Sequence, residues 1–105
     1  MQQQRSSHFG VYGLICRDGQ VLLVRKTRGA YTGLLDLPGG SPDPSDPDRT
    51  ATLRRELAEE TGLLLTGHGP WYGFELSVTR DSSGREIDLV HSGRWAAATV
   101  ETPAA

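Results

Sequence analysis

In the stretch RELAEETGL, residues 55–63, a helical pattern and an acidic pattern are superimposed. On a helix that turns about 100° per residue, Leu53 and Leu57 form an apolar stripe, and Glu60 lies beside that stripe. The acidic face of the same helix carries three carboxylates: Glu56, Glu59 and Glu60. The sequence therefore predicts an amphipathic helix whose acidic side borders the core.

The acidic face carries an energetic conflict that a cation would relieve. Like charges one turn apart repel by roughly 0.2–0.5 kcal/mol, and carboxylates beside a core stripe cost more unless they are paired. Mg²⁺ and Mn²⁺ prefer oxygen ligands, so a bound divalent cation would be stabilising. The alternative is a solvated face on which Arg55 pairs with Glu59. The position of Glu60 and the bare backbone of the preceding Gly39-Gly40 turn favour the metal.

Strand patterns separated by turn signals flank this helix. They predict strands over residues 8–16, 21–26, 34–37, 71–79 and 87–100, the last with a break near Ser92-Gly93 left open. Asp18-Gly19 predicts a tight hairpin between the first two strands. Asp46 is the predicted N-cap of a helix that runs to Thr61, and Gly62 its C-terminal cap. The pattern indicates an α+β fold.

Residues 37–40 (LPGG) and 55–63 together resemble the Nudix box, whose pattern is G-x5-E-x7-R-E-U-x-E-E-x-G-U with U aliphatic. Every fixed position from Arg55 to Leu63 matches. The resemblance implies a mixed sheet between helices, an α/β/α sandwich in which the box forms a loop-helix-loop. The length of 105 residues separately indicates a single domain over residues 1–105, with residues 1–7 and 101–105 flexible.

The chain departs from the Nudix pattern in three places. Gly40 and Arg55 are one residue further apart than in the pattern, and the first glutamate is absent: Asp46 or Pro47 takes its place, depending on the end from which one counts. In the family that glutamate anchors the loop to the helix, and Asp46 as N-cap would do a similar job. Leu35 stands where an aromatic residue is frequent. The chain also ends earlier than most members of the family. Three interpretations stay open: a shortened form, a compact member, or half of an intertwined dimer.

Residue roles follow from the resemblance. It implies that Glu56, Glu59 and Glu60 bind Mg²⁺ or Mn²⁺, directly or through water, with the backbone carbonyl of Gly39 as a further ligand. Arg55 would orient the glutamates from behind. Metal ions that bridge two phosphoryl groups neutralise charge and acidify an attacking water. The resemblance thus implies catalytic roles for Arg55 and the three glutamates.

Residues outside the box offer further candidates. Arg25 is predicted to contact a phosphate of the substrate, whereas Lys26 is predicted to point to the opposite face. Tyr31 and Trp71 could stack a base, although packing is the commoner role of such residues. A general base from outside the box could come from any of three acids: Glu75, Glu86 and Asp88.

Two single residues favour structural interpretations. His91 is interpreted as a surface or hydrogen-bonded histidine rather than as a ligand or an acid. Cys16 is predicted to be a small core residue. As the only cysteine it cannot form an internal disulfide, which together with the absence of a signal-type start favours a cytoplasmic location.

Composition excludes several classes of protein. The chain has 105 residues, net charge −2 and 23% charged residues, which excludes a disordered polyelectrolyte. No apolar run approaches the roughly 18 residues that cross a bilayer. Charge is uneven: residues 1–35 carry net +4 and residues 36–75 carry net −5. A basic segment beside an acidic helix suits a site that holds a metal ion and an anion together.

The leading functional hypothesis is a metal-dependent hydrolase that cleaves the pyrophosphate bond of a nucleoside diphosphate linked to another moiety. The alternative is a non-catalytic Nudix-fold module that senses a nucleotide-like ligand. Nucleic-acid binding through Arg25, Lys26 and Arg28 is disfavoured by the net charge. The predicted strand over residues 95–100 has little after it to cover its edge. The sequence therefore predicts self-association, as a homodimer, or poor solubility.

Overall fold

The computed structural model describes residues 4–104. It contains one helix, α1 (Arg49–Thr61), and nine strands: β1 (Ser6–Leu14), β2 (Cys16–Arg17), β3 (Gln20–Val21), β4 (Val24–Arg25), β5 (Leu35–Asp36), β6 (Gly39–Gly40), β7 (Leu64–His68), β8 (Tyr72–Arg80) and β9 (Glu86–Glu101). None of the helices in this part of the chain is long and apolar enough to cross a membrane.

The long strand β9 is the centre of a five-stranded mixed sheet. It pairs in parallel with β1, from Ser6 opposite Leu89 to Leu14 opposite Ala97. Its other edge pairs antiparallel with β8 and, further along, with β7. The predicted bare edge at the end of this strand is covered on one side only: residues 98–101 pair with β7, whereas the pairing with β1 stops at Ala97. The open break at Ser92-Gly93 is absent, since β9 is continuous there.

The predicted second strand, over residues 21–26, divides into β3 and β4 because each piece pairs only with a local partner. The turn before β3 has Asp18 at φ 53° and Gly19 at φ 75°. Two consecutive positive φ angles characterise the two-residue hairpin turn that Asp-Gly favours. The predicted hairpin is confirmed, while the third predicted strand shortens to the two residues of β5.

Helix α1 begins at a different cap from the one predicted. Asp48 is the N-cap, because its Oδ1 accepts the backbone N–H of Ala51 at 2.8 Å. Asp46 was expected in that role, but its carboxylate is used by side chains of the helix instead. The C-terminal cap is confirmed: Gly62 has φ 74°, and its N–H donates to the carbonyl of Ala58.

The apolar stripe of α1 packs against the sheet and closes the core. Leu53 and Leu57 have no exposed surface, as the helical wheel predicts. Trp71 packs against the edge of this cluster, which consists of Val11, Ile15, Leu53, Leu57, Leu65 and Ala98. Cys16 was predicted to be in the core, but it is exposed because its buried neighbour Ile15 takes the inward direction.

The described residues 4–104 place a helix on one face of the sheet and supply no second helical layer. The mixed sheet and the α+β class are confirmed. Of the two helical layers expected in an α/β/α sandwich, residues 4–104 supply the one that contains α1. Ser6 and Ser7 pair with Leu89 and Val90, and Glu101 pairs with Leu64, so these three are strand residues rather than flexible ends. Residues 1–3 and 105 lie outside the described part of the chain.

Candidate active site

A cleft of about 930 Å³ opens where α1 meets the Gly39-Gly40 turn, strand β1 and the loop at residues 26–31. One wall is acidic and comes from the helix: Glu56, Glu59 and Glu60. The facing segment is basic: Arg25, Lys26 and Arg28. Aromatic side chains, among them Tyr12 and Tyr31, also line the cleft. Such a combination can hold a cation and an anion side by side.

Arg55 organises the acidic wall from behind. Its Nη2 lies 2.8 Å from Oδ2 of Asp46 and its Nε 3.1 Å from Oδ1, a two-bond fork. Nη1 reaches Glu56 at 3.0 Å and Glu59 at 3.4 Å, while Nη2 also donates to the carbonyl of Ser41. One guanidinium thus ties the loop to two glutamates of the helix.

Asp46 supplies the loop anchor that the missing box glutamate would otherwise provide. Its side chain is 8% exposed and also accepts hydrogen bonds from the Thr52 hydroxyl and from the backbone N–H of Asp43. The bonds from Arg55 above all, and then the one from Asp43, hold the pKa of Asp46 well below its usual range. The carboxylate therefore remains charged and keeps the loop attached to α1.

The two glycines of β6 approach the acidic wall without intervening side chains. A Cβ on Gly40 would lie 2.5 Å from the carboxyl carbon of Glu56, so only glycine leaves this carboxylate its place. Gly39 has φ 149°, and a Cβ there would collide with the carbonyl oxygen of Val11. Gly39 is thus required by its backbone angle and by close approach of the Val11 backbone, whereas Gly40 leaves room for the Glu56 carboxylate in its present position.

The three glutamates differ in exposure and in partners. Glu56 is the most shielded, with 16% of its side chain exposed, against 25% for Glu60 and 58% for Glu59. Glu60 accepts the N–H of Gly39 at 2.8 Å through Oε1. Its other oxygen lies 3.7 Å from Nζ of Lys26. The helix therefore presents one projecting carboxylate and two that lie against the loop.

The donor set fits a hard divalent cation in its chemistry. It offers carboxylate oxygens from one helix face beside a turn in which Gly40 brings bare backbone against Glu56. Within residues 4–104, no three acidic, histidine or cysteine side chains already converge as a set of metal ligands. In the structure the three carboxylates instead contact Arg55, Lys26 and the Gly39 N–H.

Lys26 faces the site, and the prediction that it points away is wrong. That prediction assumed a regular strand through residues 25 and 26, whereas β4 ends at Arg25. Lys26 therefore reaches Glu60 and lies 5.7 Å from the centre of the Tyr12 ring. Arg25 also lines the cleft, and its Nη1 donates to the carbonyl of Gly33 at 2.6 Å. Its predicted contact with phosphate stays a prediction.

A hydrogen-bonded aromatic cluster lies beside the cleft. His91 is 4% exposed, and both ring nitrogens are engaged: Nε2 by the hydroxyl of Tyr12 at 3.0 Å and Nδ1 by that of Tyr31 at 2.7 Å. Burial is the main cause that lowers the pKa of His91 and raises the pKa of Tyr12. The interpretation of His91 as a hydrogen-bonded structural histidine is confirmed, and Tyr31 is held in place by it.

Several predicted candidates do not line the cleft. Glu86 pairs with Arg80, Asp88 pairs with Arg5, and Glu75 lies in a separate groove beside Phe74. Trp71 packs on His68 and on the core instead. The sequence reasoning missed Asp36, a cleft carboxylate directly before the LPGG turn; that adjacency was the available signal.

Known proteins resemble this chain in sequence. The NUDIX domain family model matches residues 5–104. An ADP-ribose pyrophosphatase of Methanocaldococcus jannaschii is 32% identical over 80 residues, which are 76% of this chain and 46% of that protein. The chain thus spans about half the length of this curated relative.

Solved structures share the fold. The MutT NUDIX hydrolase of Burkholderia pseudomallei superposes with a TM-score of 0.65 and 25% identity, covering 91% of this chain and 70% of that one. Shewanella oneidensis NrtR, solved with a 27mer DNA, gives a TM-score of 0.60 and 27% identity, covering 84% of this chain and 41% of that one. With the family model spanning nearly all of the described residues, the chain belongs to the NUDIX domain family.

Proposed function

We propose that this chain is a metal-dependent hydrolase that cleaves the pyrophosphate bond of a nucleoside diphosphate linked to another moiety. The observation that carries the proposal is the cleft itself. Three glutamates on α1 face a basic segment at residues 25–28, across a turn whose glycines bring the backbone against the carboxylates. A diphosphate ester carries the negative charge that both a bound cation and the basic segment attract.

The proposed ligands of Mg²⁺ or Mn²⁺ are Glu56, Glu59, Glu60 and the carbonyl of Gly39. When bound, the cation would neutralise phosphoryl charge and acidify a water molecule. Arg55 acts as a positioning residue, because its contacts with Glu56 and Glu59 fix the directions of both carboxylates. Arg25 is the proposed phosphate contact from the facing segment.

ADP-ribose is the first substrate to test, since the relative with 32% identity carries the name ADP-ribose pyrophosphatase. The experiment incubates the chain with ADP-ribose and a panel of other nucleoside diphosphate derivatives in Mg²⁺ or Mn²⁺, and identifies products by chromatography and ³¹P NMR. Hydrolysis between the two phosphorus atoms of ADP-ribose should yield AMP and ribose 5-phosphate. No turnover of any compound, under conditions in which the metal binds, would overturn the proposal.

The second candidate is a non-catalytic ligand sensor. It is supported by the internal partners of all three glutamates, which satisfy the carboxylates without a metal. NrtR, a relative of similar fold, was solved with DNA. Ligand binding with no product over hours would favour this candidate over the hydrolase.

Two further parts of the proposal concern the chain in solution. A cytoplasmic location is supported by the single, exposed thiol of Cys16. A homodimer is supported by exposed apolar side chains on the segment at residues 21–35, among them Val21, Leu23, Leu34 and Leu35. Light scattering at high concentration tests the dimer, and a monomeric mass would contradict it.

A further inference from the structure

Lys26 and Glu60 form an ion pair that differs from the others in the cleft. Nζ lies 3.7 Å from Oε2, which is an electrostatic contact longer than a hydrogen bond. Both side chains are largely shielded, with 19% of Lys26 and 25% of Glu60 exposed. Glu56 and Glu59, in contrast, both pair with Arg55. Glu60 thus has its own cationic partner on the opposite wall.

Arg55 and Lys26 are suited to different tasks. Arg55 is fixed by its two-bond fork to Asp46 and by the Ser41 carbonyl, so it cannot leave without breaking several hydrogen bonds. Lys26, on a flexible stem, makes one long contact with Glu60 and lies 5.7 Å from the centre of the Tyr12 ring, and within residues 4–104 it has no hydrogen-bonded fork of the kind that holds Arg55. Because the contact is longer than a hydrogen bond, the ammonium can leave Glu60 without breaking one.

We propose that Lys26 is the resident counter-ion of Glu60 in the metal-free protein, and that it passes to an anionic phosphate in the cleft when a divalent cation binds Glu60. This inference rests on the proposed function, because it takes Glu60 as a metal ligand. An ammonium has no acceptor atom and repels an approaching cation. Lys26 therefore competes with the metal for one carboxylate, and the bound metal releases it toward the substrate.

Metal binding without any nucleotide tests the first half. Isothermal titration with Mn²⁺ compares the wild type, Lys26→Met and the matched control Arg28→Met, which removes the same charge from the same cleft. Lys26→Met should bind Mn²⁺ about threefold or more tightly than the wild type, the order of a partly exposed ion pair. Arg28→Met should stay within about twofold, since Arg28 is exposed, the ion pairs of the three glutamates are with Lys26 and Arg55, and exposed charges are screened.

Unchanged or weaker Mn²⁺ binding by Lys26→Met, or equal tightening in both variants, would overturn the inference. Lys26→Gln repeats the test with a polar side chain if the methionine variant does not fold. In a Glu60→Gln background, Lys26→Met should no longer change the affinity for Mn²⁺, because the shared carboxylate charge is gone.

Binding of ADP tests the second half. At saturating Mg²⁺, Lys26→Met should bind ADP several-fold more weakly than the wild type, whereas without metal the two should agree within about twofold, since Glu60 then holds the ammonium. Equal ADP affinities at saturating Mg²⁺ would overturn this half. If Lys26→Met binds Mn²⁺ more tightly but the wild type hydrolyses no substrate, the proposed hydrolase function is wrong and the inference on Lys26 stands. If the wild type hydrolyses substrate but Lys26→Met binds Mn²⁺ as the wild type does, the inference on Lys26 is wrong and the hydrolase function stands.

Discussion

The two sides of helix α1 are stabilised in opposite ways. The side that carries Leu53 and Leu57 is fully buried against the sheet, so it contributes to folding by removing apolar surface from water. The other side concentrates three carboxylates and needs Arg55, Lys26 and the Gly39 N–H to hold them. The apolar side is thus explained by stability, whereas the acidic side is the one to which the proposed function assigns a metal ion.

The largest expected effect on stability lies on the apolar side. Leu57→Ala should lower the free energy of unfolding by about 2–5 kcal/mol, because it leaves a cavity between α1 and the sheet. Urea denaturation measures the change. Turnover per folded molecule should remain near that of the wild type. A stability loss below about 1 kcal/mol would show that this side is not the core of the fold.

The largest expected effect on catalysis lies on the acidic side. Glu56→Gln keeps the size and helix propensity of the side chain but removes its charge, so turnover should fall by at least about 100-fold. Arg55→Ala should reduce turnover less, because Arg55 acts through orientation. Steady-state kinetics gives both values, with the melting curve as the control for folding. Glu56→Gln activity within a few-fold of the wild type would remove Glu56 from the catalytic centre.

Metal should stabilise the protein through the same side. At ten times its Kd, Mg²⁺ adds about 1.4 kcal/mol to the free energy of unfolding by mass action, which raises Tm by roughly 5–10 °C in a domain of this size. Glu60→Gln should reduce the shift, since one carboxylate ligand loses its charge. Melting curves recorded with and without metal measure it. Identical curves for the wild type would count against a metal site.

The smallest effect concerns acid and the Asp46–Arg55 contact. Because the pKa of Asp46 is lowered by folding, its contribution to stability is complete above about pH 5 and declines as the pH falls below about 4. Asp46→Asn should be less stable than the wild type at pH 7, and the difference should narrow at pH 3. A constant difference across this range would show that the charge of Asp46 does not stabilise the loop.

Local sequence patterns were sufficient to predict the elements whose structure depends on neighbouring residues. The apolar stripe, the Gly62 cap and the Asp18-Gly19 hairpin each follow from a spacing or a backbone preference within a few residues. Local patterns do not predict that Asp48 rather than Asp46 is the N-cap, because Arg55, nine residues further along the chain, binds the carboxylate of Asp46. The N-cap propensity of a residue identifies candidate caps, and tertiary contacts determine which candidate is used.

Long-range pairing explains the rest. The parallel register of β1 on β9 joins residues about 80 positions apart, and β7 covers one edge of the last residues of β9. The rule that successive side chains of a strand point to opposite faces gave the wrong direction for Lys26, because β4 ends at Arg25 and the rule applies only within a strand. The facing wall of the cleft was therefore the part of the site that the sequence predicted least.

The most direct test of the central claim is metal removal and replacement during hydrolysis of ADP-ribose. The wild type is assayed for AMP formation in Mg²⁺, after excess EDTA, and again after excess Mg²⁺ is restored. The proposed site predicts turnover in Mg²⁺, loss of at least about 100-fold in EDTA, and recovery on replacement. Turnover that continues unchanged in EDTA would contradict the assignment of the acidic side of α1 as a catalytic metal site.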